Sequence, residues 1–197
     1  MLTEQEIADN AAIVVKLIEK YIISDRKEKI LQMLEKIGTQ FYTAPASGDL
    51  NKHSAFAGGL IKHTILVAKS MLEICSIWYK DVNLESAIIC ALFHDLGKAT
   101  TVKGEDVYID NDSQWHKDKL GKMYIKNPII RDGLTHAQRS VRLLSHYGID
   151  LTDDEYLAIL AHDSIYTDEN ICFKYKMSKL SHMLHFADLK VAFLDEV

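Results

Sequence analysis

Apolar residues recur at three- and four-residue spacing along most of the chain, which is the pattern of amphipathic helices. Thr3 and Glu6 form a capping-box pattern at the start of the first such segment, IADNAAIVVKLIEKYI. A second segment, DRKEKILQMLEKI, is expected to end at Gly38. A third helix is predicted through GGLIKHTILVAKSMLEICSIWYK, and a fourth begins near Asn83. The pattern therefore predicts an all-α fold.

The second half of the chain predicts three more long helices and one small β element. Helices are expected at about 135–147, 153–162 and 178–194, with a second capping-box pattern at Thr152 and Glu155. The stretch TTVKGEDVYI has β-branched and aromatic residues on both sides of a glycine-containing turn, which predicts a small β-hairpin near residues 100–110. The polar and basic stretch that follows, 113–126, is expected to form a short helix or a lid.

No internal repeat, low-complexity tract or linker divides the sequence. We therefore predict a single domain over 1–197, in which 1–50 form an N-terminal helical extension to a helical bundle. Hydrophobic residues make up 48% of the chain, which is enough for a substantial core.

Charge and composition exclude several classes of protein. The net charge of -5 gives no sequence-wide basic field, so binding to duplex DNA is not expected. No apolar span of about 18 residues and no signal-peptide pattern is present, which favours a cytoplasmic protein without a membrane partner. Cys75, Cys90 and Cys172 lack a C-x-x-C pattern and are expected to be reduced thiols. The oligomeric state cannot be deduced from these features.

The stretch ALFHDLGK places His94 and Asp95 side by side in an otherwise apolar run. A buried carboxylate needs a partner, because desolvation of an isolated charge costs several kcal/mol or more. Imidazole and carboxylate groups are ligands that suit manganese, iron and zinc. A single histidine on an apolar helix face is more often a hydrogen-bonded core residue, but the adjacent pair favours a metal site whose other ligands come from distant helices.

The segments AGGLIKHT, FHDLGK and HFADL together resemble the HD-domain superfamily of metal-dependent phosphohydrolases, whose signature is H…HD…D on a helical bundle. The resemblance covers roughly residues 53–190. It implies that Asp95 can bridge two ions and that the metal set comprises His63, His94, Asp95 and Asp188.

Family members that bind two metals add one histidine from each of two intervening helices. His136 in LTHAQRSVRLL and His162 in AILAHDS match these positions. The resemblance thus implies two divalent ions, of manganese, iron or another transition metal. Two alternatives stay open, because His136 is also compatible with an exposed helix start and His162 with the end of a helix. Asp163 is a competitor of His162 for the same role.

Two cations lie close to the expected ligands. Lys98 follows the His-Asp pair at the distance where the resemblance implies contact with phosphate, although a solvated lysine at a helix end is an equal alternative. Arg139 lies one turn after His136 and is expected to bind a second phosphate oxygen. Asp95 and Lys98 are thus the expected catalytic residues, and Lys98 and Arg139 the expected substrate-binding ones.

Two further histidines are given lesser roles. His185 precedes Asp188 by three residues on the same helix face, so it is expected to support a ligand rather than to bind metal. His53 precedes His63 by ten residues and resembles a histidine of some family members, but its loop position favours at most a minor role.

The expected function is hydrolysis of a phosphate ester by a metal-activated water. A small nucleotide, another phosphodiester or a short nucleic acid is the expected substrate, and this preference rests on the resemblance. GxSxG, P-loop and Rossmann patterns are absent from the sequence, which removes common covalent and nucleotide-cradling alternatives. Two other classes remain: a di-iron oxygenase of the HD type, and a catalytically inactive binding module stabilised by metal.

Overall fold

Eight α-helices make up most of the part of the chain that this computed structural model describes, which comprises residues 2–163, 168–173 and 176–195. They are α1 (Glu4–Tyr21), α2 (Arg26–Thr43), α3 (Gly59–Ile77), α4 (Leu84–Phe93), α5 (Gln114–Leu120), α6 (His136–His146), α7 (Asp153–Leu160) and α8 (Lys179–Lys190). Short 3₁₀ segments cover Leu96–Lys98 and Asp168–Phe173, and α8 continues as a π-helical turn, Val191–Asp195. The predicted all-α class is confirmed.

Side-chain caps determine where several helices begin. Thr3 and Thr152 open α1 and α7 through the capping boxes predicted from the sequence. A third capping box, formed by Thr135 and Gln138, opens α6. Because Thr135 is the N-cap, His136 becomes the first residue of α6, and its position is therefore set by local hydrogen bonds.

The core lies between α3 and α4, which pack against each other. Helix α4 is buried on all sides from Glu85 to Phe93, with Ile88 and Leu92 completely inaccessible to solvent. Helices α1 and α2 both pack on α3, and α8 packs on both α3 and α7. None of the helices in the described ranges is both long and apolar enough to cross a membrane.

Gly38 lies inside α2, so the prediction that it ends this helix is wrong. The helix runs on to Thr43 because Ile37 and Phe41, on either side of the glycine, are buried in the core. A Cβ atom at residue 38 would lie 2.9 Å from the ring of Tyr42, so the glycine makes room for this side chain. Tertiary packing therefore outweighs the local helix-stop signal.

The small β element consists of β1 (Tyr108–Asp110) and β2 (Tyr124–Lys126), which pair antiparallel with α5 between them. Inside the predicted range 100–110, the chain does turn, and Thr100 and Asp106 form an isolated antiparallel bridge. The small β element is thus present, and the partner strand of β1 comes from farther along the chain.

A buried ion-pair network joins α2, α4 and α7. Arg26 donates from Nη2 to Glu85 at 2.5 Å and from Nη1 to Glu155 at 2.7 Å, and both carboxylates are buried. Glu85 also accepts hydrogen bonds from the backbone N–H groups of Ile23 and Ser24. Burial opposes ionisation, but these hydrogen bonds and that of the Ser24 hydroxyl outweigh it and lower the pKa of Glu85 to about 2.

Arg26→Met is expected to lower the free energy of unfolding by roughly 3 to 5 kcal/mol near neutral pH, because two buried carboxylates lose their counter-ion. Urea denaturation measures this change. Lys29→Met is the matched control, since it removes an exposed ion pair with Asp25 from the same helix and should cost less than about 1 kcal/mol.

The difference in the free energy of unfolding between the wild type and Arg26→Met should also become smaller in acid. The pKa of Glu85 falls from 4.5 to about 2 on folding, so its stabilising contribution is present above pH 4.5 and is lost as the pH falls towards 2. Equal unfolding free energies of Arg26→Met and Lys29→Met at pH 7 would contradict a stabilising role for the network.

Candidate metal centre

Side chains from five helical elements converge at one end of the buried helix α4. His94 caps α4 and Asp95 follows it with φ -103° and ψ 8°, so the chain leaves the helix between them and enters the 3₁₀ turn. This bend lets two consecutive side chains reach one place. The other contributions come from α3, the start of α6, the end of α7 and α8, which supply His63, His136, His162 and Asp188.

One group of possible ligands consists of His63, His94 and Asp188. Asp188 Oδ1 lies 3.0 Å from His63 Nε2 and 3.8 Å from His94 Nε2. The ligand atoms of all three residues lie within 4.8 Å of one another, a spacing at which one metal ion can be bound. Both imidazoles are completely buried, and Asp188 is partly accessible.

A second group consists of His136, His162 and Asp163. The Nε2 atoms of the two histidines are 3.1 Å apart. Asp163 Oδ2 lies 3.2 Å from His136 Nε2, and Asp163 Oδ1 lies 3.7 Å from His162 Nε2. Asp163 therefore joins His162 in this group instead of replacing it, which the order of residues along the chain did not predict.

Asp95 lies between the two groups and is only 2% exposed. Its Oδ2 atom faces the first group, at 3.5 Å from His94 Nε2 and 3.9 Å from His63 Nε2. Its Oδ1 atom faces the second group, at 3.4 Å from His136 Nε2 and 3.5 Å from His162 Nε2. A carboxylate whose two oxygens face two ligand groups has the arrangement required to bridge two ions.

The imidazole rings are oriented by backbone carbonyls. His94 Nδ1 lies 3.0 Å from the carbonyl oxygen of Ala91, and His162 Nδ1 lies 2.7 Å from that of Ile159. A proton on Nδ1 satisfies each carbonyl and leaves the Nε2 lone pair directed at the cluster, which is the usual arrangement of metal-binding histidines. His185 Nδ1, in turn, lies 2.8 Å from the carbonyl oxygen of His162, which fits its predicted supporting role.

Two buried polar atoms in this cluster fit a bound cation. Within the described ranges, neither His94 Nε2 nor Asp95 Oδ1 has a hydrogen-bond partner. Such atoms are costly inside a protein because they lose their contacts with water. A divalent ion would accept a lone pair from each of them, so the residues present fit the metal that the resemblance implies.

The protonation states follow from burial and neighbouring charges. Burial opposes ionisation of Asp95, but the positive charge of Lys98 outweighs it and holds the pKa of this carboxyl well below its usual range. Burial lowers the pKa of His94 to about 4, so the ring is neutral and able to bind metal. His162 differs, because the nearby carboxylate of Asp95 outweighs burial and raises the pKa of this imidazole to about 9. A metal ion would replace that proton.

Lys98 lies next to Asp95, with Nζ 2.6 Å from Oδ2, and its side chain is 16% exposed. The carboxylate outweighs the effect of burial and raises the pKa of Lys98, so the ammonium group stays charged. The other two ammonium protons remain possible donors to a substrate. The contact with phosphate remains a prediction.

Arg139 is held by its own surroundings. Its Nε and Nη2 atoms donate to Asp132 at 3.1 and 2.9 Å, and Nη1 donates to the carbonyl oxygen of Gly97 at 3.0 Å. The side chain thereby fastens the loop before α6 to the 3₁₀ turn. The structure gives Arg139 a positioning role, and its predicted contact with phosphate remains untested.

The sequence did not predict the importance of two residues at this centre. A Cβ atom at Gly97 would overlap the carbonyl oxygen of His136, so only glycine lets α6 approach the 3₁₀ turn this closely. A glycine two residues after the candidate ligand Asp95 is the sequence signal that could have indicated this close approach. The ring of His53 stacks on that of His63 with 4.7 Å between centroids, which places this loop histidine beside the cluster.

Comparisons with known proteins bear on the same residues. The HD domain family matches residues 60–162, which include five of the six predicted ligands but not Asp188. Over 121 residues, the chain is 29% identical to the dihydroneopterin 2′,3′-cyclic phosphate phosphodiesterase of Methanocaldococcus jannaschii. The alignment covers 54% of this chain and 48% of that protein, so the chain spans about half the length of this curated relative. No solved structure is significantly similar to the chain.

Proposed function

Because the chain belongs to the HD domain family, we propose that it is a metal-dependent phosphohydrolase that cleaves a phosphate ester with an activated water. The observation that carries this proposal is the position of Asp95, whose two carboxylate oxygens face two groups of possible ligands. The relative from Methanocaldococcus jannaschii is named as a phosphodiesterase, which supports a phosphodiester as the substrate class. We propose that the phosphodiester belongs to a nucleotide or a short nucleic acid.

The residues divide naturally between two ions. His63, His94 and Asp188 would hold one ion, His136, His162 and Asp163 would hold the other, and Asp95 would contact both. Divalent ions at these ligands supply Lewis acidity and lower the pKa of water towards neutrality.

The protein's own side chains would have two tasks in this reaction. Asp95 stays ionised beside Lys98, so it keeps the negative charge needed at the centre of the cluster. The ammonium group of Lys98 lies beside Asp95 and would donate a hydrogen bond to a non-bridging phosphate oxygen. Preorganised donors of this kind act most strongly when negative charge develops in the transition state.

Lys98→Ala is expected to lower kcat/KM by roughly a hundred- to a thousandfold, because one preorganised cation is lost from the transition state. Bound metal should remain unchanged, since no ligand is removed. Steady-state kinetics and elemental analysis of the same preparation measure both effects. Lys119→Ala is the control, because Lys119 is exposed on α5. Loss of metal, or kinetics equal to those of Lys119→Ala, would contradict this role.

The direct test of the function is metal analysis followed by a screen of phosphate substrates. The panel should include bis(p-nitrophenyl) phosphate, p-nitrophenyl phosphate, 2′,3′-cyclic nucleotides, cyclic dinucleotides and short RNA. Hydrolysis of a diester by metal-loaded protein, with loss of activity after chelation, would support the proposal. Full metal loading without hydrolysis of any compound would overturn it in favour of a binding module, and oxygen-dependent turnover would favour a di-iron oxygenase.

A further inference from the structure

Tyr108 is the first residue of β1 and lies near Lys98, which contacts Asp95 of the metal cluster. The turn after the 3₁₀ segment pairs Thr100 with Asp106 in an antiparallel bridge, and the N–H of Val107 donates to the carbonyl oxygen of Ala99 at 3.1 Å. Tyr108 follows Val107 and Lys98 precedes Ala99, so these contacts bring the two residues close together. The fold thus places a tyrosine near the lysine that contacts Asp95.

The ring of Tyr108 is held by close packing against Gly48. A Cβ atom at residue 48 would lie 3.3 Å from Cε1 of Tyr108 and 2.6 Å from the carbonyl oxygen of Tyr124, so this site requires glycine. The carbonyl oxygen of Gly48 accepts a hydrogen bond from the N–H of Tyr124 at 3.1 Å, which fastens the glycine to β2. The Gly48 loop therefore limits the positions that the ring of Tyr108 can adopt.

The hydroxyl of Tyr108 is available to a ligand. Of the residues that the structure describes, none hydrogen-bonds to this hydroxyl, although the side chain is half-buried. Burial raises the pKa of Tyr108, and the charges on Lys98 and Asp95 also act on it. The phenol is therefore protonated at neutral pH and is a neutral hydrogen-bond donor beside a cation and a carboxylate.

We propose that Tyr108 is a substrate-binding residue whose hydroxyl donates a hydrogen bond to a non-bridging phosphate oxygen, next to Lys98. This inference rests on the proposed phosphohydrolase function and assigns part of the substrate site to the β element. A phosphodiester in the cluster would then meet one charged and one neutral donor from the protein. Because the donor is neutral, it adds a directional contact without changing the charge balance around Asp95.

Tyr108→Phe tests this role, and Tyr124→Phe is the matched control because Tyr124 is another half-buried tyrosine of the same sheet. For Tyr108→Phe, kcat/KM with bis(p-nitrophenyl) phosphate should fall roughly ten- to a hundredfold, as expected for loss of a hydrogen bond to a charged group. The affinity of the manganese-loaded protein for inorganic phosphate, measured by calorimetry, should weaken in the same direction. Metal content and the urea midpoint should match those of Tyr124→Phe.

The outcomes separate this inference from the proposed function. If the wild type hydrolyses the diester and Tyr108→Phe is equally active and binds phosphate equally well, the role of Tyr108 is wrong while the function stands. If the wild type hydrolyses no diester, the function fails, and unequal phosphate affinities would still support the contact. Metal loss or a lowered urea midpoint in Tyr108→Phe, but not in Tyr124→Phe, would make Tyr108 a structural residue and overturn the inference.

Discussion

Asp95→Ala is expected to abolish hydrolysis and to weaken metal retention, because it removes the carboxylate that faces both groups of possible ligands. Metal ions contribute several kcal/mol to the stabilisation of a phosphoryl transition state, so their mispositioning should lower kcat by on the order of a thousandfold or more. Steady-state kinetics at saturating manganese, together with elemental analysis after desalting, measures the two effects.

Two control variants separate the role of the Asp95 carboxylate from a general loss of charge. Asp110→Ala removes an exposed carboxylate from β1 and should leave activity and metal content unchanged. Asp95→Asn keeps the size of the side chain but removes its charge, and it should resemble Asp95→Ala in kcat. Turnover close to that of the wild type in metal-replete Asp95→Ala protein would remove the central element of the proposed mechanism.

Saturated wild-type protein is expected to contain about two ions per chain, and the double variant His136→Ala with His162→Ala about one. The physical reason is the separation of the ligands into two groups that share Asp95. Removal of His136 and His162 takes both imidazoles from one group and leaves His63, His94 and Asp188 in place. Elemental analysis of protein saturated with manganese or iron measures the ratio.

The control for this stoichiometry is the double variant His116→Ala with His146→Ala, since both histidines are exposed and should not affect metal content. Variants of His63 or His94 should disturb the other ion and the fold around it. These variants should also have a lower free energy of unfolding than the wild type. The reason is that metal binds only to the native state and therefore stabilises it. A single ion in saturated wild-type protein would replace the dinuclear mechanism by a mononuclear one.

The helices were predictable because their signals are local. The capping boxes of α1 and α7 involve residues three positions apart, so they require no knowledge of the rest of the fold. The local signal gave a wrong prediction where tertiary packing opposed it. Gly38 has the residue type of a helix end, but α2 continues through it because Ile37 and Phe41 are buried in the core. The pairing of β1 with β2 is likewise non-local, because α5 separates the two strands.

The candidate site was likewise predictable only in part. The resemblance to the HD domain family named the six expected ligands, and the structure brings their side chains together in one cluster. The tertiary structure alone decided what surrounds them. It added Asp163 beside His136, and it engaged the guanidinium of Arg139 with Asp132. It also placed Tyr108 close to Lys98.

The sequence by itself therefore determined the all-α class, the helix starts and the residue types that suit a metal centre, because periodicity, capping and ligand chemistry are properties of short segments. Only the tertiary structure decided which oxygen of Asp95 faces which group of ligands and which donors lie beside it. The distances depend on how α7 packs against α4 and how α6 packs against the 3₁₀ turn, and the donors depend on how the β element folds back towards that turn. That packing requires Gly97 and Gly48 at two close backbone approaches that no local pattern specifies.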